Sequence, residues 1–292
     1  MSILLNGKEL SKQIRTKIKE QTIALRAETG KTPGLATILV GNDPPSAKYV
    51  ASKHRACLEA GFYSKAVNLP ADTSQEELDH AITSLNLDPD IHGILLQMPI
   101  PKHLDSFKAI YAIKPCKDVD GFHPINVGKL SVGIEGLYPC TPEGIMEILR
   151  HYEIPIAGKR ALVIGRSCLV GKPVARLLLR ENATVTIAHS KTQNIQELVG
   201  QADILVAAIG QPAFIKGSWI KEGAVVIDVG ITYVPDPESS SLYKLFGDVE
   251  FEEAKKRASY ITPVPGGVGP MTVTMLLNNT LKAFKSIEKK KR

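Results

Sequence analysis

Short apolar runs alternate with segments of helical periodicity along almost the whole chain. The runs are rich in Leu, Ile, Val and Ala, which is typical of strands buried on both faces of a parallel sheet. Amphipathic segments such as 8–28 separate them, with apolar residues at helical spacing. This alternation predicts an α/β protein with parallel sheets. The runs lie at residues 35–40, 91–97, 160–165, 184–189, 204–208 and 224–230.

Length, charge and cysteine content narrow the class of protein. At 292 residues the chain is long enough for two domains, and no apolar run approaches the roughly 18 residues of a membrane span. The first residues lack the pattern of a secretory signal, which predicts a cytoplasmic location. A net charge of +6 with 5% aromatic residues does not predict a nucleic-acid binder. The 4 cysteines form no C-x-x-C pair, so neither a zinc site nor a redox dithiol is expected.

The segment Ser46-x-x-Tyr49-x-x-x-Lys53 follows two prolines, which suit the first turn of a helix that begins near Ser46. Its spacing places a phenol and an amine on one helix face, where both can reach the same small molecule. An ordinary amphipathic helix with a solvated lysine explains the same residues. Gln97 ends the run 91–97, at the sheet edge where open α/β folds bind ligands, and a capping role before a proline-stiffened turn is the alternative.

Two carboxylates stand in the turn Lys117-Asp118-Val119-Asp120-Gly121. The D-x-D-G pattern is part of a calcium loop, but Val127 stands where such a loop needs its bidentate glutamate. We therefore interpret the aspartates as hydrogen-bond acceptors for a ligand or as turn formers, and we predict no metal site.

The run 160–165 leads into Gly165-Arg166-Ser167-x-x-Val170-Gly171 and then a helix, the position where a dinucleotide pyrophosphate meets backbone N–H groups. Ser167 replaces the second glycine of G-x-G-x-x-G, and a plain strand-to-helix turn without a ligand is the alternative. The next strand ends in His189-Ser190-Lys191, so it offers no carboxylate to a ribose 2′-hydroxyl, whereas Arg166 and Lys191 supply two cations. The pattern favours NADP over NAD.

Six motifs resemble those of the bifunctional methylenetetrahydrofolate dehydrogenase and methenyltetrahydrofolate cyclohydrolase family. They occur in the family's order over nearly the whole chain, and Met98 and Ile100 are conservative departures from the leucines more common there. The motifs are Ser46-x-x-Tyr49-x-x-x-Lys53, Gln97-x-Pro99-x-Pro101, Lys117-Asp118-Val119-Asp120-Gly121, Gly165-Arg166-Ser167-x-x-Val170-Gly171-x-Pro173, His189-Ser190 and Pro263-Val264-Pro265-Gly266-Gly267-Val268-Gly269-Pro270.

The resemblance implies two α/β domains with a cleft between them. Residues 1–140 and 270–292 would form a discontinuous catalytic domain with a parallel sheet, and residues 141–269 an inserted Rossmann-type domain that binds NADP. It implies a homodimer that acts on tetrahydrofolate derivatives in the one-carbon metabolism that serves purine and amino-acid biosynthesis, and composition and hydropathy predict no nucleic-acid or membrane partner. The reaction would be NADP-dependent oxidation of 5,10-methylenetetrahydrofolate to the 5,10-methenyl compound, followed by hydrolysis to 10-formyltetrahydrofolate.

The family's site residues carry over to matching positions of this sequence. Lys53 would be the catalytic amine of the hydrolytic step, and Gln97 would orient and tune it. Tyr49 would stack on or hydrogen-bond the folate ring, and Asp120 would accept hydrogen bonds from the N–H groups of the pterin. These four residues would both bind substrate and take part in catalysis. The remaining residues would be Gly266 and Gly267 at the folate pocket and Gly165, Arg166, Ser167, Ser190 and Ile231 at NADP.

Two other functions fit part of the sequence. A two-domain NADP oxidoreductase of the shikimate dehydrogenase type would explain the dinucleotide motif, but not Tyr49, Lys53 and the Pro-Gly-Gly loop together. A non-catalytic dinucleotide-binding protein would also keep the fold.

Overall fold

The apolar runs of the sequence form strands of parallel sheets. The computed structural model describes residues 2–235 and 243–289, and most of the segment 235–241, whose polar composition predicts a surface loop, lies outside these ranges. Numbered along the chain, the strands are β1 (Ile3–Leu4), β2 (Gly34–Val40), β3 (Tyr63–Leu69), β4 (Gly93–Leu96), β5 (Arg160–Ile164), β6 (Thr184–Ala188), β7 (Ile204–Ala207), β8 (Val225–Asp228), β9 (Thr232–Pro235), β10 (Tyr243–Phe246) and β11 (Tyr260–Ile261). The helices are α1 (Gly7–Thr29), α2 (Pro44–Glu59), α3 (Gln75–Leu87), α4 (Ser106–Ala112), α5 (Pro124–Val132), α6 (Cys140–His151), α7 (Gly171–Arg180), α8 (Ile195–Gln201), α9 (Phe251–Arg257) and α10 (Val268–Lys289).

The chain divides into two units, and each is discontinuous in sequence. We call Lys12–Cys140 with Val273–Arg292 the three-stranded unit, and Met1–Ser11 with Thr141–Thr272 the six-stranded unit. The structure groups residues 1–11 with the six-stranded unit, whereas the predicted catalytic domain, 1–140 with 270–292, includes them; these domain bounds stay a prediction. The physical reason for the grouping is that β1 pairs in parallel with β11, through bonds such as Ile3 N to Ser259 O at 2.8 Å.

In the three-stranded unit the sheet order is β3-β2-β4, with both pairs parallel. Every residue of β2 is buried, as its continuous apolar run predicts. Ile38 of β2, Ile82 of α3 and Ile94 of β4 are fully buried in one apolar cluster. The carboxyl end of β4 leads directly to Gln97.

In the six-stranded unit the sheet order is β1-β11-β8-β7-β5-β6, and every neighbouring pair is parallel. Parallel strands bring their carboxyl ends to one edge of the sheet, where open α/β folds bind ligands. The segments that follow β5, β6, β7 and β8 therefore share that edge. β9 and β10 form a separate antiparallel pair.

The predicted α/β class, with parallel sheets in two domains, is confirmed by these two units. Among the helices of the described ranges, none combines the length and the apolarity that a membrane crossing requires.

Candidate active site

The side chains of Lys53 and Gln97 meet in the three-stranded unit. Lys53 lies on α2 and Gln97 directly after β4, where its N–H donates to Ile38 O at 2.8 Å. Lys53 Nζ donates to Gln97 Oε1 at 2.9 Å, and Gln97 Nε2 donates to Met98 O at 2.8 Å. Because the amide nitrogen is engaged with the backbone, the amide oxygen is held toward the lysine.

Tyr49 and Lys53 share one face of α2, as their spacing predicts. The helix begins at Pro44, slightly before the predicted start near Ser46, because Asp43 caps it and accepts hydrogen bonds from Ser46 N at 3.0 Å and Ser46 Oγ at 2.6 Å. Tyr49 is 42% exposed and Lys53 is half-buried. The phenol therefore remains accessible to a ligand next to a positioned amine.

Asp118 forms the turn before α5. Its Oδ1 accepts hydrogen bonds from the backbone N–H groups of Gly121 at 3.1 Å and Phe122 at 3.3 Å. Its Oδ2 accepts from His123 N and from Asn126 Nδ2, both at 2.8 Å. Burial raises the pKa of Asp118, while these bonds oppose the shift. The carboxylate is saturated by the protein, so Asp118 is a turn former rather than a ligand-binding group.

Asp120, two residues later, is placed differently. Its carboxylate receives only a weak hydrogen bond, from Cys140 Sγ at 3.7 Å, among the described residues. Burial raises the pKa of Asp120 to about 6; the positive charge of Lys53 lowers it and the negative charge of Asp118 raises it. At neutral pH Asp120 is therefore an anion with acceptor capacity left for N–H donors of a ligand.

Asn279 of α10 was not predicted, and it holds the segment that carries Asp120. The side chain is 1% exposed, and Nδ2 donates to Val119 O at 2.9 Å and to Tyr138 O at 2.8 Å. No sequence pattern distinguishes it from its polar neighbours Asn278 and Thr280; its burial is what indicates that the amide has partners, because buried polar groups are normally hydrogen-bonded. Asn279 thereby fixes the backbone immediately before Asp120.

The loop after β5 has the geometry of a phosphate-binding turn. Gly165 has a φ of +124°, and a side chain there would collide with Ala208 O. A side chain at Gly171, where α7 begins, would collide with Gly165 O. Ser167 Oγ accepts a hydrogen bond from Val170 N at 3.1 Å. The close approach of backbone to backbone leaves the N-terminus of α7 open to an anion.

Arg166 and Ser190 follow neighbouring strands at the same sheet edge. Ile164 of β5 pairs with Ala188 of β6, and Gly165 N donates to Ala188 O at 2.9 Å. Both side chains are exposed, and neither forms a hydrogen bond or an ion pair with any described residue. A guanidinium and a hydroxyl therefore stand at these two strand ends, where the described residues 165–167 and 189–191 include no carboxylate, which is the chemistry that an NADP site offers to a 2′-phosphate.

The other predicted residues of the six-stranded unit lie in two segments. Ile231, after β8, is 44% exposed. Gly266 has a φ of +105° and its carbonyl accepts a hydrogen bond from Lys8 N at 2.9 Å, while Gly267 N donates to Pro263 O at 2.8 Å. The predicted residues thus form two sets: Tyr49, Lys53, Gln97 and Asp120 in the three-stranded unit, and Gly165, Arg166, Ser167, Ser190, Ile231, Gly266 and Gly267 in the six-stranded unit.

Two family descriptions match this chain. The catalytic domain of tetrahydrofolate dehydrogenase/cyclohydrolase matches residues 5–120, and the NAD(P)-binding domain of the same family matches residues 139–288. A relative from Geotalea uraniireducens, named bifunctional protein FolD, is 53% identical over 285 residues, which cover 98% of this chain and 99% of the relative.

Solved structures show the same likeness. The bifunctional FolD enzyme of Campylobacter jejuni is 46% identical, with a TM-score of 0.94 and coverage of 98% of this chain and 99% of that chain. The Trypanosoma brucei enzyme, solved with NADP cofactor and an inhibitor, is 45% identical, with a TM-score of 0.94 and 98% coverage of both chains. A shikimate dehydrogenase from Aquifex aeolicus is 15% identical, with a TM-score of 0.50 and coverage of 87% of this chain and 91% of that chain, a likeness of fold alone.

Proposed function

Because this chain belongs to the tetrahydrofolate dehydrogenase/cyclohydrolase family, we infer that it oxidises 5,10-methylenetetrahydrofolate with NADP and hydrolyses the 5,10-methenyl product to 10-formyltetrahydrofolate. The observation that carries this function is the hydrogen bond of 2.9 Å between Lys53 Nζ and Gln97 Oε1. It provides an amine at a fixed place, near enough to Asp120 for its charge to lower the pKa of that carboxyl. A proton-transferring group next to a pterin-binding carboxylate is what the hydrolytic step requires.

The two steps make different demands on the protein. NADP, when bound, accepts a hydride from the methylene carbon, and the folate is left with a cationic methenyl bridge between N5 and N10. Water then adds to that carbon, the bond to N5 breaks, N5 takes up one proton and a second proton leaves to solvent. We assign this proton movement to Lys53 Nζ, since a positioned amine can take a proton from water and deliver it to the departing nitrogen.

Gln97 and Tyr49 support this role of Lys53. Gln97 is uncharged, so it orients the amine without the strong stabilisation of the protonated form that a carboxylate partner would bring. Tyr49 lies one helical turn before Lys53 on the same face, and we propose that it contacts the folate by ring stacking or by a hydrogen bond. Contact of Gly266 and Gly267 with the folate stays a prediction.

For Asp120 we propose recognition of the pterin ring. An ionised carboxylate accepts hydrogen bonds from the pterin amino group and from a ring N–H, and these charge-assisted bonds are stronger than neutral ones. Asn279 supports the geometry, because it holds Val119 O and thereby the backbone that precedes Asp120. The pKa of about 6 predicts that substrate affinity falls as the pH drops below that value.

For the cofactor we propose that Arg166 and Ser190 bind the 2′-phosphate, with Gly165, Ser167 and Ile231 close to the dinucleotide. Arg166→Ala is therefore expected to raise the KM for NADP by about tenfold or more, since a charged hydrogen bond contributes about 1.5–3 kcal/mol, and to change the KM for NAD far less. Initial rates with both dinucleotides measure the difference. Equal effects on NADP and NAD would argue against a 2′-phosphate contact. Lys172→Ala, in the first turn of α7, is a control that removes a neighbouring positive charge and leaves Arg166 intact.

One assay separates the proposed function from its two rivals. Purified protein is mixed with NADP and 5,10-methylenetetrahydrofolate, and NADPH is followed by its absorbance. We expect NADPH to form with this substrate and not with shikimate. Oxidation of shikimate instead would support the other oxidoreductase, and binding of NADP without turnover of either substrate would support a non-catalytic dinucleotide-binding protein.

We also propose that the protein is a homodimer whose 10-formyl product serves purine and amino-acid biosynthesis, as the sequence resemblance implies, and that it is cytoplasmic, as the first residues predict. Analytical ultracentrifugation of the purified chain tests the dimer.

A further inference from the structure

A buried aspartate, Asp248, binds the segment that follows β7. Its side chain is 0% exposed. Oδ2 accepts hydrogen bonds from the backbone N–H groups of Ile209 at 2.7 Å and Gly210 at 3.1 Å, and Oδ1 accepts from Gln211 N at 2.8 Å. Three consecutive N–H groups on one carboxylate hold this segment in one conformation, because each would otherwise be left without an acceptor.

A second buried aspartate, Asp228 at the end of β8, holds Asp248 in place. Asp228 Oδ1 accepts hydrogen bonds from Gly230 N at 2.9 Å and Asp248 N at 2.8 Å, and Oδ2 accepts from Val249 N at 3.0 Å. The packing leaves no space: a side chain at Gly230 would collide with Asp248, and one at Gly247 with the Asp228 carboxylate. Burial raises the pKa of Asp228 to about 6, and the three N–H donors oppose this shift.

Both aspartates lie at the same sheet edge as the loop after β5, which has the geometry of a phosphate-binding turn. Ala208, directly before the segment 209–211, lies so close to Gly165 that no side chain fits there. Arg166 and Ser190, which suit a 2′-phosphate, follow β5 and β6, and β6 is the edge strand on the opposite side of β5 from β7 and β8. A dinucleotide with its 2′-phosphate there and its pyrophosphate at the start of α7 therefore extends its nicotinamide half over the ends of β7 and β8.

We propose that Asp248 is a positioning residue for the nicotinamide half of the dinucleotide. Asp228 supports it by accepting hydrogen bonds from Asp248 N and Val249 N. The inference rests on the proposed use of NADP. Both carboxylates are buried, so they act through the backbone that they hold, at 209–211 and at Gly230. Loss of the Asp248 carboxylate should loosen the nicotinamide half of the site and leave the 2′-phosphate half unchanged.

Calorimetric titration of the full chain with two ligands tests this. NADP reports on the whole site, whereas 2′,5′-ADP carries the adenosine and the 2′-phosphate but no nicotinamide. Asp248→Asn keeps the size of the side chain and replaces one acceptor oxygen with a donor. We expect the Kd of NADP to rise by about tenfold, the effect of losing one buried hydrogen bond, and the Kd of 2′,5′-ADP to stay within about twofold.

A second variant strains the same segment without entering the core. Gly210 has a φ of +67° and open space where a Cβ would stand, so Gly210→Ala is expected to fold and to show the same difference between the two ligands. Asp203→Asn is the matched control, because Asp203 accepts a hydrogen bond from Arg160 N at 2.9 Å at the opposite end of β7. Neither Kd should change in that control.

The outcomes are distinct. If either folded variant keeps the wild-type affinity for NADP, or loses both ligands equally, the positioning role is overturned; if Asp248→Asn does not fold, Gly210→Ala decides by the same criteria. A wild-type protein that binds neither ligand overturns the proposed use of NADP, and the inference with it.

Discussion

Lys53→Met is expected to abolish the cyclohydrolase activity and to leave the affinity for NADP unchanged. Methionine keeps the apolar stem of lysine but can neither accept nor deliver a proton, and loss of a general acid–base typically costs about a hundredfold to ten-thousandfold in rate. Arg166 and Ser190, the proposed 2′-phosphate ligands, belong to the other unit and are untouched by the change. Hydrolysis of 5,10-methenyltetrahydrofolate and calorimetric titration of NADP measure the two properties.

Lys48→Met is the matched control for this variant. Lys48 lies on the same helix and is exposed, so its replacement changes charge and side-chain type without touching Gln97. We expect normal hydrolysis in Lys48→Met. Near-normal turnover in Lys53→Met would remove the assignment of Lys53 as the proton-transferring group.

Asp120→Asn is expected to weaken catalysis and to stabilise the fold. In the proposed complex the amide would replace one acceptor oxygen by an NH₂ group that faces the N–H donors of the pterin, and two charge-assisted hydrogen bonds are worth about 3 kcal/mol or more. We therefore expect kcat/KM for 5,10-methylenetetrahydrofolate to fall by about a hundredfold. The KM for NADP should stay the same, and steady-state kinetics with each substrate varied in turn measures both values.

The gain in stability should depend on pH. Burial raises the folded-state pKa of Asp120 from 3.8 to about 6, so ionisation opposes folding, and stability is lost as the pH rises from the unfolded value through the folded one. Because Asp120 keeps some solvent contact, we expect Asp120→Asn to add only about 1–2 kcal/mol above pH 6 and nothing below about pH 4. Urea unfolding at pH 4 and pH 8 measures this, and an unchanged free energy of unfolding at pH 8 would contradict the buried charge.

The neighbouring Asp118→Asn should behave in the opposite way. Asp118 accepts four hydrogen bonds from the protein, and an amide would face two of these donors with its own NH₂ group. We expect a loss of about 1–3 kcal/mol in the free energy of unfolding. The two variants therefore distinguish the turn former from the ligand-binding carboxylate of one short motif.

The long apolar runs were the part of the fold that the sequence predicts well. Buried strands such as β2 and β5 need continuous apolar residues, and that need is visible in one sequence. β3 was missed because Tyr63–Leu69 is an edge strand whose residues are all exposed or half-exposed, so polar residues interrupt the run. β1 has only two residues, too few for any periodicity to be visible in the sequence.

The same limit applies to the candidate site, because local sequence patterns predict single elements but not which distant residues meet. Lys53 and Gln97 are 44 positions apart, and only the family resemblance, not periodicity, predicted that they act together. Asn279, Asp228 and Asp248 belong to no recognisable motif, so nothing in the local sequence distinguishes them from other polar residues. The Asn279 amide donates hydrogen bonds to carbonyl groups that are 160 and 141 positions away in the sequence. A local pattern carries no information about partners at such a distance.

Asn279 also limits when the site can form during synthesis. The ribosome releases residues in order, and early domains generally fold first. The three-stranded unit does not follow this N-to-C order of folding, because the backbone before Asp120 is held by the Asn279 amide of α10. The same helix also contributes Leu276 and Leu281 to the buried core. A chain that stops before Asn279 carries Tyr49, Lys53, Gln97 and Asp120 but lacks the amide that holds the backbone next to Asp120. We therefore expect a nascent chain to acquire its hydrolytic chemistry only after Asn279 has left the ribosome.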